Sequence, residues 1–178
     1  MGKQIGSLSL PQGEQTTFEN FFRCINLCHD CISLKDEKPG KEDELVYNGP
    51  SVDEVCLLEM CAQSKIGHFI SRDSDTIKIN NNGKVEQYGI IKMFPFTSER
   101  KAMSMVLQHP TEAKAICFVK GADSSVFPMC NQYARKATLD DFSADPNAPN
   151  NKILDVEKSV EEMAKKGLRT LLYGMKEI

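Results

Sequence analysis

The sequence has no tryptophan and no apolar run long enough to cross a bilayer. Its longest clearly apolar stretch covers residues 115–119, whereas a spanning helix needs about 20 such residues. Positive charge is not in excess. Twenty-two basic residues face 25 acidic ones, a net charge of −3. That disfavours a general nucleic-acid or anionic-membrane surface but leaves room for a local basic pocket. No two glycines are two positions apart, so there is no G-x-G-x-x-G. The G-x-x-x-x-G-K-[ST], H-E-x-x-H and G-x-S-x-G patterns are also missing. A nucleotide would therefore be bound without a P-loop or a Rossmann turn. Residues 1–13 carry no apolar leader segment, and no Asn-x-Ser/Thr occurs. With seven cysteines, an odd number, the expectation is free thiols in a reducing, cytosolic setting.

What is present suits one well-cored domain. The chain has 178 residues, 40% apolar and 26% charged, which excludes wholesale disorder. Residues 1–17 read as a flexible lead-in and 18–178 as a single domain. Phe18, Phe21, Phe22, Ile25, Cys28 and Ile32 recur at helical spacing and predict a helix over 18–32. Residues 35–50 read as a solvated loop. Ser51-Val52-Asp53-Glu54 has the capping-box pattern and starts a helix running to about Ile66, with Gly67 as its stop. The period then changes to two. Residues 76–79 and 85–88 flank an Asn-Gly pair, a hairpin signal. Further strands are expected at 90–96, 103–107 and 115–120. A helix follows from about Ser124, then an exposed loop at 138–150, a helix stopping at Gly167, and a last strand over 168–175. This order predicts an α+β fold, a central antiparallel sheet flanked by helices.

Five features invite chemistry. Cys24, Cys28 and Cys31, beside His29, fit either core thiols or a metal or redox module. Phe94-Pro95-Phe96-Thr97-Ser98-Glu99-Arg100-Lys101 offers a ring to stack on a heterocycle and a cation for phosphate. A core phenylalanine beside a solvated charge pair fits the same letters. Lys120-Gly121-Ala122-Asp123 ends a strand where a helix begins, an arrangement that attracts anions but also suits a surface lysine before a turn. Glu54 reads as a cap or as an acceptor for an amino group. Arg169 reads as a phosphate clamp or a surface charge.

Together these segments resemble the nucleotide-binding (N) domain of P-type ATPases of the phospholipid-flippase class. Ser51-Val52-Asp53-Glu54 resembles that class's S-P-D-E helix start. Phe96-Thr97-Ser98-Glu99-Arg100-Lys101-Ala102-Met103-Ser104 resembles F-x-S-x-R-K-R-M-S. Lys120-Gly121-Ala122-Asp123 matches K-G-A-D, and Gly167-Leu168-Arg169-Thr170-Leu171 matches G-L-R-T-L. Leu27-Cys28-His29 resembles the family's L-C-H helix. The segments stand in family order over about 160 of the 178 residues.

The resemblance implies that Phe96 stacks on adenine, Lys120 lies at its adenine and ribose end, and Glu54 accepts from the adenine amino group. It implies that Lys101 and Arg169 face the phosphates. Thr97, Ser98, Met103, Gly121, Ala122 and Thr170 would complete the walls. ATP is the implied ligand, with Mg2+ held mainly by other domains. The implied partners are the phosphorylation and actuator domains of a parent that reaches the membrane by its own spans; nucleic acid is not among them. The chain would be a cytosolic domain of an integral membrane protein, non-catalytic alone, in a parent that hydrolyses ATP and moves phospholipid. D-K-T-G, T-G-E-S and G-D-G-x-N-D do not occur. Two departures stand out. Val52 replaces a proline, and Ala102 replaces a basic residue, predicting one cation fewer at the phosphates. The N domain of a cation pump, a cysteine-based metal or redox module, and an interaction domain with a decayed pocket are the other readings.

Overall fold

The computed structural model describes residues 12–35, 45–129 and 149–178. Helix α1 (Gln12–Leu27) is followed by a short hairpin, β1 (Ile32–Lys35) and β2 (Leu45–Asn48). Then come α2 (Val52–Ser64), β3 (Gly67–Arg72), β4 (Thr76–Asn81), β5 (Lys84–Thr97), β6 (Ala102–Gln108) and β7 (Ala115–Gly121). A one-turn helix α3 (Asp123–Val126), a 3-10 turn (Phe127–Met129), α4 (Pro149–Lys165) and β8 (Leu172–Glu177) complete the described elements. Strands β3 to β8 form one six-stranded antiparallel sheet in chain order, with α1 and α2 packed on it. The expected α+β architecture holds.

Period-two burial builds the sheet's inner face. Phe69, Ile77, Ile79, Tyr88, Met105, Leu107, Ile116 and Phe118 are all buried there. Against them α1 sets Phe22, Ile25 and Leu27, and α2 sets Leu58 and Cys61. One polar knot ties α1 to the sheet. The buried Glu86 carboxylate accepts two bonds from Arg23 at 3.2 Å, one from Tyr88 at 2.7 Å and one from Asn81 at 3.1 Å.

Local turn chemistry acts where expected. Asn82 and Gly83 both take positive φ, 50° and 84°, closing the β4–β5 hairpin as a primed turn. Gly167 (φ 72°) ends α4: its N–H donates to Ala164 and that of Leu168 to Met163, a Schellman pair.

Several boundaries differ from the sequence expectation. α1 begins at Gln12, inside the segment read as lead-in, and ends at Leu27 rather than near Ile32. Past that end the backbone donors go to side chains: the Asp30 N–H binds Glu54 and the Cys31 N–H binds His29 Nδ1. Strand β1 ends where the expected 35–50 loop begins, and β2 lies within that loop. Helix α2 stops on Lys65 in the left-handed region, and Gly67 already begins β3, a strand the reading omitted. The run at 90–96 is the second half of one 14-residue strand. The helix expected from Ser124 is a single turn before the 3-10 turn, and its continuation lies outside the described residues. So does the loop at 138–148, while residues 149 and 150 belong to α4. β8 starts at Leu172, not Leu168.

Candidate functional site

Strand alternation puts Lys120 on the buried face of β7, two residues beyond Phe118 and four beyond Ile116. A lysine there requires a counter-charge. Helix α2 supplies it, because Glu54 shares a face with Leu58 and Cys61 at helical spacing and so faces the sheet. Lys120 Nζ lies 2.6 Å from Glu54 Oε1, and the two residues are 7% and 9% exposed. The capping-box expectation is corrected here. Ser51 stands at the N-cap position without a side-chain cap bond, and Glu54 spends its carboxylate on the sheet instead. Glu54 Oε2 also accepts the Asp30 N–H at 3.1 Å and the Cys31 thiol at 3.6 Å.

This pair forms the floor of a cleft of about 790 Å³ at the end of the sheet. Its walls come from separate segments. Strand β5 loses its regular pairing between Phe94 and Thr97, where Pro95 has no N–H to give the ladder. The irregularity leaves Phe96 on the cleft wall and 60% exposed. Lys101 follows at φ 49° as the turn closes. Its carbonyl accepts the Ala122 N–H at 3.0 Å, which locks the β5–β6 turn against the β7–α3 turn. Only glycine fits at the crossing. A Cβ on Gly121 would clash with the Lys101 carbonyl and lie 2.8 Å from Ala102 Cα. From the far side, Arg169 approaches α2 and binds Asp53 through Nη1, at 2.8 Å and 2.5 Å to its two oxygens.

Of the nine residues expected at the site, Glu54, Phe96, Lys101, Lys120, Gly121, Ala122, Arg169 and Thr170 line this cleft together. Ser98 does not; it sits in the exposed turn after Thr97. Met103 is on the wall and Thr97 is not. Arg100 turns away, donating to Ser104 Oγ at 3.0 Å and covering the Phe94 ring. Ala102 is fully buried and not itself on the cleft wall, between Lys101 and Met103, which are.

The reading assigned no role to Asp30, Asp53 or Leu171, all on the wall. Asp53 and Leu171 lie within quoted motifs and Asp30 directly follows Leu27-Cys28-His29, which is the signal that could have found them. Asp30 Oδ1 is held by Arg72 at 2.7 Å. Two of the three cleft cations are paired, Lys120 with Glu54 and Arg169 with Asp53. Lys101 has no acidic partner among the described residues, so anion attraction falls chiefly to it.

The cysteine cluster lies below the floor. Cys24, Cys28 and Cys31 are buried, and Cys28 and Cys31 both lie beyond the end of α1. Cys28 donates to the Met103 and Phe118 carbonyls and Cys24 to that of Val119. Burial and the nearby Glu54 charge push the Cys31 thiol up to about 12. Burial, with the Lys120 and Arg72 charges, holds His29 down at about 3, so it is neutral. Among the described residues no group of three His, Cys, Asp or Glu side chains is placed to hold a metal ion.

Residues 17–178 match the family described as P-type ATPase, cytoplasmic domain N. Phospholipid-transporting ATPase FetA of Mus musculus is 32% identical over 159 residues, covering 89% of this chain and 12% of that protein. Phospholipid-transporting ATPase IH of Mus musculus is 28% identical over 170 residues, 90% of the chain and 13% of that protein. Phospholipid-transporting ATPase neo1 of Schizosaccharomyces pombe is 27% identical over 172 residues, 96% and 14%. The chain thus spans about an eighth of the length of these curated relatives. With one family matched over nearly its whole length, and a glycine-crossed cleft carrying the expected side chains, this chain belongs to the P-type ATPase cytoplasmic N domains.

Proposed function

We propose that this domain binds ATP, with its Mg2+, and presents the γ-phosphate to an aspartate on the phosphorylation domain of a phospholipid-transporting P-type ATPase. The observation that carries the reading is the convergence, on one cleft of about 790 Å³, of an exposed ring (Phe96), a buried-face lysine (Lys120), a cation without an acidic partner among the described residues (Lys101) and a glycine crossing (Gly121). The relatives, all phospholipid-transporting ATPases by name, support the phospholipid-transporting class.

The chemistry follows from the side chains. Phe96 offers a flat apolar face, and base–aromatic stacking is worth about 1–3 kcal/mol per base. Glu54 uses one of the three Nζ donors of Lys120, leaving the others for the base or sugar. Gly121 and Ala122 let backbone come close, while Lys101 and Arg169 stand toward the phosphates, with Thr170 beside them and Ser98 in the adjoining turn. Magnesium travels with the nucleotide and screens its phosphates. Phosphoryl transfer needs an in-line nucleophile and carboxylates for the metal, and the D-K-T-G aspartate is not among these residues. This domain's part is therefore to hold and orient the nucleotide. In the parent, the phosphorylation and actuator domains complete the cycle on the cytosolic side of the membrane.

The test is a heteronuclear NMR titration with ATP and GTP, repeated in Phe96→Ala. Shifts clustered on Phe96, Lys101, Lys120 and Arg169, preferring ATP and lost in the variant, are the expected result. An absence of localised shifts at millimolar-scale ATP would overturn the reading.

A further inference from the structure

Resting on the nucleotide reading above, with the Glu54 carboxylate on the cleft floor as the acceptor for the base's amino group, we infer that Arg72, at the end of β3 and outside the cleft, is the positioning residue for that carboxylate. A glutamate side chain has several rotatable bonds, so a well-aimed acceptor has to be held by its surroundings. Three donors hold Glu54. Lys120 Nζ lies 2.6 Å from Oε1, while Oε2 takes the Asp30 N–H at 3.1 Å and the Cys31 thiol at 3.6 Å. The last two come from residues 28–31, the link between α1 and β1, which belongs to no helix or strand. Arg72 fixes that link. Its Nη1 donates to the His29 carbonyl and its Nη2 to Asp30 Oδ1, each at 2.7 Å. The Arg72 side chain is itself 15% exposed, so its planar fork stands in a fixed place. The carbonyl that accepts from Arg72 and the N–H that donates to Glu54 belong to one trans peptide, His29–Asp30. Carbonyl and N–H of a trans peptide point in opposite directions within one plane. By holding the carbonyl, Arg72 aims the N–H at Glu54.

A carboxylate has about four lone-pair sites. Oε1 can therefore take an amino group beside the Lys120 ammonium while Oε2 is held from behind. Sites that hydrogen-bond a specific substituent discriminate most strongly against the analogue that lacks it. That discrimination falls when the acceptor is free to wander. His29 braces the same link, since its Nδ1 accepts the Cys31 N–H at 3.1 Å, but that bond fixes Cys31 and not the 29–30 peptide plane. Arg72 also balances the Asp30 carboxylate, which lines the cleft. That second effect acts on the ligand's charge and not on its base, so two nucleotides with the same phosphates feel it equally.

The experiment measures dissociation constants for ATP and for the triphosphate of purine riboside, which carries hydrogen in place of the amino group. Their ratio reads the amino-group contact alone. It uses the 178-residue chain and its Arg72→Ala, Arg72→Lys, Glu54→Gln and Arg72→Ala/Glu54→Gln variants, each checked for a dispersed amide spectrum. The unsubstituted chain should bind ATP about tenfold better than the analogue, as one hydrogen bond to a charged acceptor allows. Arg72→Ala should bring the ratio to about two. Arg72→Lys keeps the charge but cannot span both acceptors, so its ratio should fall between these values; it carries the test should Arg72→Ala lose its fold. Glu54→Gln should lower the ratio too, and adding Arg72→Ala to it should lower it no further. Weaker binding of both ligands with the ratio unchanged in the Arg72 variants would make Arg72 merely structural and overturn the proposal. So would a further fall in the double variant, since Arg72 would then act by a route other than Glu54. A ratio of one in the unsubstituted chain would remove Glu54 as the acceptor and the proposal with it. Failure of that chain to bind either ligand would overturn the nucleotide reading itself.

Discussion

Glu54 in the first turn of α2 and Lys120 at the end of β7 form a buried ion pair with 2.6 Å between Nζ and Oε1. Removing one partner strands the other charge out of water. Lys120→Met should cost about 3 kcal/mol in urea denaturation. Combining it with Glu54→Gln should recover much of that loss, because no unpaired charge remains. A single variant as stable as the parent would mean that the pair carries no structural weight.

Phe96 separates binding from folding. Its ring is 60% exposed, so Phe96→Ala should change stability by no more than about 0.5 kcal/mol. The same change should weaken ATP about tenfold, as loss of stacking on a base does. Isothermal titration beside a thermal melt reads both.

Gly121 should tolerate no side chain. A Cβ there meets the Lys101 carbonyl and Ala102 at the crossing of two turns. Gly121→Ala should cost about 1–3 kcal/mol, the usual range for overpacking, and should shift amide resonances of Lys101 and Ala122. A melting temperature equal to the parent's would show that the two turns can part freely.

On the proposed function, Asp53 should compete with phosphate for Arg169. The pair is exposed at the cleft mouth, 41% and 78% by side chain, so Asp53→Asn should leave stability nearly unchanged. It should strengthen ATP binding several-fold at low salt, and raising ionic strength should shrink the gain. Affinity for adenosine, which has no phosphate, should not move.

His29 predicts a pH dependence. Its ring is neutral in the fold, with a pKa near 3 against an ordinary 6.5. The unfolded chain takes up a proton below pH 6.5 that the folded chain refuses. Stability is therefore unaffected above that pH and falls as pH drops toward 3, by about 1.4 kcal/mol per unit. Between pH 7 and 5 the loss should be about 2 kcal/mol. His29→Gln should flatten most of that slope, leaving the smaller share of His68, whose pKa burial also lowers. An equal slope in the variant would place the titration elsewhere.

Elements governed by local chemistry were legible in advance. The Asn82-Gly83 hairpin, the alternation through Ile77, Ile79 and Phe118, and the stop at Gly167 all depend on backbone preferences or period within a few residues. The binding motifs could be named by resemblance, and eight of the nine named residues meet in the cleft. What escaped were β3, the β1–β2 hairpin with its four-residue strands, and the true end of α1. That end is decided by donors reaching Glu54 and His29 rather than by propensity.

The sequence by itself determined the α+β class, the turns, and which segments carry ring, cation and glycine, because each is written in neighbouring letters. Tertiary structure decided what those letters do. Glu54 has the spacing of a cap and becomes the counter-ion of Lys120. Asp53 meets Arg169, and Asp30 meets Arg72. Each outcome depends on which charge a distant segment brings to the same end of the sheet. A buried or anchored charge takes the partner that packing delivers.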